Sequence, residues 1–359
     1  MARVVLAMSG GVDSSASAIL LKQQGHEVIG LFMRTGVHGP EEHDESRKKG
    51  CCSALDAGDA RRVADRLDIP FYALDFEHEF GRIMDYFADE YAVGRTPNPC
   101  VVCNNWLKFG KLWSYGKQFD ADYIATGHYV RQETIDGEAQ LLRGSDPDKD
   151  QSYVLFGLRR SLLPKLLFPV GGYRKEEIRT IAREAGLSVA EKPDSVEICF
   201  VPDNDHFAFV KRHRPDRDTS GVIRDTAGTV LAEHDGIEKF TIGQRKGLGF
   251  GSASRRYVLQ IVPSTHDVIV GDREELLASA LRASKMNWLI EPPTGSLHCQ
   301  AKIRYRASAV LAKVIAGADE SAHVEFAEPQ SAITPGQAVV FYQGDRVLGG
   351  GWIEEALPG

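Results

Sequence analysis

No stretch of this chain approaches the roughly 18 consecutive apolar residues of a membrane-spanning helix, so no membrane role is expected. The start, Met1-Ala2-Arg3, runs straight into an apolar segment and shows no charged, apolar and small-residue leader pattern. A cytoplasmic protein is the expectation. Cysteine is scarce, six in 359 residues at irregular spacing, which argues against a disulfide framework and for buried, catalytic or metal-binding roles. Internal repeats and low-complexity tracts are absent. Basic charge is in deficit, with a net charge of −7, which speaks weakly against nucleic acid as a partner. Two local runs speak the other way: Lys211-Arg212-His213-Arg214 with Arg217, and Arg245-Lys246 with Arg255-Arg256. The acidic excess sits elsewhere, as in Glu41-Glu42-His43-Asp44-Glu45.

What is present is organised around Ser9-Gly10-Gly11-Val12-Asp13-Ser14-Ser15. The run Val4-Val5-Leu6-Ala7-Met8 before it reads as a buried parallel strand, and Ala16 to Lys22 after it as a helix. Two glycines let successive N–H groups point into one concavity, and the helix N-terminus adds positive charge there. With the hydroxyls of Ser9, Ser14 and Ser15, the loop is an anion cradle. It lacks the Gly-Lys-Ser/Thr of a Walker loop. The order Ser-Gly-Gly-x-Asp-Ser-Ser resembles instead the PP-loop of enzymes that cleave ATP to AMP and pyrophosphate.

A chain of this length holds more than one core. Strands Val28–Met33, Phe71–Phe76 and Tyr123–Thr126 alternate with helices over Ala60–Leu67, Phe80–Tyr91 and Glu176–Ala185, the pattern of a parallel sheet covered on both faces. Ligands bind beyond the carboxyl ends of such strands. A long polar connection, 34–58, carries Cys51 and Cys52. From about residue 218 the period becomes two, with a hairpin over 221–231. Later, Leu297, Cys299, Ala301, Ile303 and Tyr305 alternate with His298, Gln300, Lys302, Arg304 and Arg306, as in a small barrel. The expected divisions are an α/β catalytic domain over 1–205, a small β-rich central domain over 206–280 and a C-terminal β-barrel over 281–359.

The motif Cys100-Val101-Val102-Cys103 follows Thr96-Pro97-Asn98-Pro99, a rigid extended approach, and precedes a helix beginning near Leu107. Cysteines near a helix start favour thiolate. Cys199 lies between Ile198 and Phe200, and Cys299 reads as core. Structural zinc lacks a second C-x-x-C. A redox pair, an iron–sulfur cluster on Cys100, Cys103 and Cys199, and a sulfur-transfer pair of Cys103 and Cys199 remain open.

The chain resembles the tRNA-specific 2-thiouridylase family, known as MnmA. The stretches that carry the resemblance are Ala7–Ser15, Gly94–Pro99 with Cys103-Asn104, Thr126–Tyr129, Lys149–Tyr153, Ile198–Phe200, Phe240–Gly247 and Ile303–Tyr305. The resemblance implies a PP-loop domain, a small central domain and a β-barrel. It also implies ATP-dependent thiolation of the wobble uridine of tRNA, with Mg²⁺ and a persulfide sulfur-donor protein. Ala7, Met8, Ser9, Gly10, Gly11, Val12, Asp13 and Ser14 would hold ATP, with Met33 and Gly127 at the adenosine. Asn98, Pro99 and Cys100 would meet the target base. His128, Lys149, Asp150, Gln151, Arg304, Tyr305 and Gln337 would contact tRNA. Cys103 matches the nucleophile and Cys199 the persulfide carrier. Family members can carry Asp where Cys100 stands; a thiol is a poorer base but a better iron or sulfur ligand, so [4Fe-4S] on Cys100, Cys103 and Cys199 is the alternative.

Overall fold

The computed structural model describes residues 1–37, 54–194, 198–201, 205–251 and 254–358. Cys51 and Cys52 lie outside them. The chain packs as two units, one of Met1–Ile83, Cys100–Asn204 and Asp345–Val347, the other of Met84–Pro99, Asp205–Gly344 and Leu348–Gly359.

The first unit is built on β1 (Arg3–Ala7), β2 (Glu27–Arg34), β3 (Phe71–Asp75) and β4 (Tyr123–Thr126), followed by the hairpin β5 (Val130–Ile135) and β6 (Glu138–Arg143) and by the short β7 (Leu166–Leu167). The sheet order is β3-β2-β1-β4-β7, all parallel. Apolar continuity makes β1 the centre: Val4, Val5 and Leu6 are fully buried. Helix α1 (Val12–Gln23) is buried from Ser14 to Leu21, an almost all-round burial that its small and aliphatic residues permit. Further helices are α2 (Ala54–Arg66) and α3 (Glu77–Ala92), which passes into the second unit at Met84.

Two features differ from expectation. The hairpin β5–β6, not among the expected strands, turns on Asp136-Gly137, both at positive φ (53° and 81°), as an Asp-Gly turn allows. The helix expected near Leu107 starts earlier, as α4 (Pro99–Val102), a π-helix over Cys103–Lys111 and α5 (Leu112–Gln118). Proline suits the first helical turn because its missing N–H would have no partner there. Helices α6 (Lys175–Glu184) and α7 (His206–His213) complete the set.

In the second unit β8 (Gly221–Asp225), β9 (Val230–His234), β10 (Tyr257–Val262) and β11 (Asp267–Gly271) form a sheet of order β10-β11-β8-β9 over Ile223, Phe240, Val258 and Val268. Six more strands follow: β12 (Leu277–Trp288), β13 (Ser296–Lys302), β14 (Val310–Ala316), β15 (Ala322–Ser331), β16 (Ala338–Gln343) and β17 (Arg346–Leu357). They run β12-β15-β14-β13-β16-β17, and pairing of β12 with β17 closes a barrel, which removes the exposed edges. Cys299, Ala301 and Ile303 point into its core as the alternation predicts. Tyr305 does not: β13 ends at Lys302, and Tyr305 is 41% exposed in the turn beyond. Within this unit Phe87 packs edge-on against Phe209, and Asp85 meets His213 at 3.0 Å and Arg214 at 2.8 Å.

Burial pushes the Cys299 thiol up to about 12. At neutral pH roughly one molecule in 10⁵ then carries thiolate there, the reactive form. Among the four described cysteines, maleimide labelling of native protein followed by mass mapping should mark exposed Cys100 first and Cys299 only on unfolding. Early marking of Cys299 would contradict the core placement.

Candidate active site

The site gathers at the carboxyl ends of β2, β1 and β4. Register sets Leu31 and Thr126 on either side of Ala7, so Met33, the Ser9–Ser14 loop and Gly127 follow as neighbours. Gly10 has φ +73°, and a Cβ there would stand 2.2 Å from the Asp56 carbonyl oxygen. A Cβ on Gly127 would stand 2.8 Å from the Ser14 nitrogen. Both glycines therefore let backbone close around the N-terminus of α1, where N–H groups and the helix dipole favour an anion. Ser14 Oγ accepts from the Ser9 N–H at 3.1 Å and lies 3.3 Å from Ser9 Oγ, which holds the curl. Ser15 is fully buried and donates to the Gly11 carbonyl at 2.8 Å; its hydroxyl braces the helix and does not line the cradle as expected.

The positive charge missing from the loop arrives from distant segments. Lys175 donates to Asp13 at 2.7 and 2.9 Å and meets Asp194 at 2.7 Å. Tyr129 adds a hydroxyl on Asp13 at 2.7 Å; burial and Asp13 both push that phenol up, so it stays protonated and donates. Lys192 donates to the Gly10 carbonyl at 2.9 Å and to Asp56 and Asp59 at 2.6 Å each. Burial opposes the Lys192 charge, but the two aspartates outweigh it and hold it above the usual lysine range. Lys175, Lys192, Asp194 and Asp56 were not singled out in the sequence. Their pairs lie 162 and 136 positions apart, beyond any local pattern.

Cys103 opens the π-helix and is half-buried; Cys100 is exposed and Cys199 half-buried. Single-turn π segments often mark functional positions, and this one runs for nine residues. Directly after Cys103, buried Asn104 donates to the Val154 carbonyl at 3.2 Å, while its Oδ1 and that of Asn105 have no hydrogen-bond partner among the described residues. Among the described residues no three His, Cys, Asp or Glu side chains stand close enough to share a metal ion.

The residues matched to tRNA contacts fall into two groups. In the first unit Lys149 is partly exposed and meets Asp194 at 2.8 Å. Asp150 turns inward onto Gly144 and Ser152, and Gln151 accepts from the Tyr129 N–H at 2.9 Å, so both shape the loop. His128 is buried, with Nδ1 2.8 Å from the Thr126 hydroxyl. In the second unit Arg304 donates to the Ser331 and Ala332 carbonyls beside exposed Tyr305. There Gln337 holds the Thr96 and Pro97 carbonyls at 3.0 and 3.2 Å, ahead of half-buried Asn98 and buried Pro99.

Burial, with Lys108 nearby, pushes the His128 imidazole well below its ordinary value near 6.5, so it folds neutral. Below that value the unfolded chain takes up a proton that folded His128 refuses. Its contribution to stability is thus full above pH 6.5 and declines as pH falls, by up to about 1.4 kcal/mol per unit. Thermal unfolding from pH 7 to 5 should fall more steeply in the parent than in His128→Gln; equal slopes would refute this.

The parallel sheet, the glycine loop between β1 and α1 and the site at the strand ends define a nucleotide-binding α/β protein of the PP-loop, or HUP, class. The family model described as a tRNA methyl transferase HUP domain matches residues 2–203. A PRC-barrel model of the same series matches 207–272, and an aminomethyltransferase β-barrel model 278–353. The chain belongs to the tRNA-specific 2-thiouridylase MnmA family. It is 49% identical over 358 residues to the member from Geotalea uraniireducens, covering 99% of this chain and 96% of that one. To the Geobacter metallireducens member it is 50% identical, covering 99% and 97%. Solved structures match more loosely: a 4-thiouridine synthetase–RNA complex with bound ATP gives a TM-score of 0.38 at 15% identity, over 60% of this chain and 51% of that one.

Proposed function

We propose that the protein thiolates the wobble uridine of tRNA at C2, consuming ATP, with residues 1–205 as the catalytic part, 206–280 as the central part and 281–359 as a tRNA-contacting barrel. The observation that carries the reading is the cradle closed by Gly10 and Gly127 at the start of α1, in a chain whose relatives are named as tRNA 2-thiouridylases. A carbonyl oxygen is a poor leaving group, so it is first activated. Uridine O2 attacks the α-phosphorus of ATP in the Ser9–Ser14 loop, and pyrophosphate leaves. The cradle's N–H groups bind the phosphates, where negative charge builds up. Asp13, held by Lys175 and Tyr129, would hold magnesium, which would neutralise phosphate charge when bound. A sulfur-donor protein loads Cys199 as a persulfide. By the first route its outer sulfur adds to C2 and AMP departs with O2; Cys103 thiolate then attacks the Cys199 sulfur, breaking the S–S bond, which leaves the sulfur on C2 and a Cys103–Cys199 disulfide. By the second route Cys103 thiolate attacks the inner sulfur of Cys199, forming a Cys103–Cys199 disulfide and releasing hydrosulfide, which adds to C2. Either route needs the base out of the anticodon stack.

The test is mass analysis of tRNA nucleosides after incubation with ATP and a sulfur source. The expected result is one added sulfur at the wobble uridine, dependent on ATP. No gain of sulfur, or a gain that does not depend on ATP, would overturn the reading.

A further inference from the structure

We propose that Lys175 and Asp194 form an ion-pair bridge that couples engagement of RNA at Lys149 to occupancy of the nucleotide loop. The inference rests on the reading of ATP and tRNA as substrates. Four side chains of alternating sign stand in line. Lys149 meets Asp194 at 2.8 Å, Asp194 meets Lys175 at 2.7 Å, and Lys175 holds both oxygens of Asp13. The middle is enclosed, with the Lys175 side chain 8% exposed, whereas the outer end, Lys149, is 37% exposed. The inner end is the PP-loop itself. Lys175 is fixed from behind, because its backbone N–H donates to Asp146 at 3.0 Å as α6 begins. Arg179 steadies Asp194 at 3.4 Å while bound to the Ala190 and Lys192 carbonyls.

The three N–H bonds of the Lys175 ammonium are all spent on two carboxylates, so whatever one carboxylate gains the other loses. An RNA phosphate that draws Lys149 away leaves Asp194 short of a cation. Asp194 then takes a larger share of Lys175, and Asp13 is released towards magnesium-bound nucleotide. Linkage makes the effect reciprocal: magnesium nucleotide that engages Asp13 leaves Lys175 to Asp194 and frees Lys149 for RNA. Lys175 and Asp194 are thus positioning residues, acting through Asp13 and Lys149.

The affinity of a non-hydrolysable magnesium–ATP analogue, measured with and without tRNA, tests this. In the parent protein tRNA should tighten the analogue by at least about fivefold, the lower end of ordinary coupling. In Asp194→Asn, which keeps shape at a partly exposed position, the ratio should fall below about twofold, with Asp194→Glu recovering part of it. A merely structural role would weaken both affinities and leave their ratio alone. An unchanged ratio in Asp194→Asn, or none in the parent, overturns the bridge. Failure of the parent to bind tRNA at all would instead overturn the substrate reading, and the bridge with it.

Discussion

A Cys199→Ser variant should lose at least about 10³-fold in thiolation rate, the scale on which essential nucleophiles matter, while adenylated RNA accumulates. A hydroxyl cannot carry a sulfane sulfur, because the step needs an S–S bond that a second thiol can break. The substitution is otherwise mild. Cys199 is half-buried, and its neighbour Phe200 is buried with its ring edge-on to Phe80 at 5.7 Å. Labelled phosphate in the α position of ATP reads the adenylate, and nucleoside mass analysis reads the sulfur. Full thiolation by the variant would remove Cys199 from the chemistry. Loss of both signals would place it in the nucleotide site instead.

Gly10→Ala should weaken nucleotide binding by at least about 30-fold, which corresponds to about 2 kcal/mol. Two costs add. A side chain at φ +73° costs about 1–2 kcal/mol, and a Cβ 2.2 Å from the Asp56 carbonyl oxygen forces backbone to move at a further cost of about 1–3 kcal/mol. The displaced carbonyl belongs to the turn of α2 whose Asp56 side chain holds Lys192, and Lys192 in turn holds the Gly10 carbonyl. The disturbance therefore returns to the loop. Gly137→Ala is the control: its φ is +81°, but a Cβ there would meet nothing within 4 Å. Titration with a fluorescent ATP analogue distinguishes the two; equal affinities for Gly10→Ala and the parent would show that the loop does not hold the nucleotide.

The parallel sheet was legible because its central strands are unbroken apolar runs and its loop glycines stand between strand and helix. The barrel was legible from strict alternation, up to the residue where β13 stops. Residue types alone gave Thr96-Pro97-Asn98-Pro99 as extended, yet Pro99 is also a good first residue of a helix, and there the helix wins. The loop's own residues could be read in order along the chain. Its counter-ions could not: Lys175 and Lys192 look like ordinary surface lysines until the fold brings Asp13 and Asp56 to them.

The second unit begins with the end of α3, and this has a consequence in time. Asp85 waits for His213 and Arg214, the first of them made 128 positions later. At about 5–20 residues per second, the ribosome leaves that stretch without its partners for roughly 6–25 s. Phe87 and Tyr91, buried against Phe209 and His206 in the finished protein, lack those partners throughout that interval. Slower translation between codons 92 and 206 lengthens that wait.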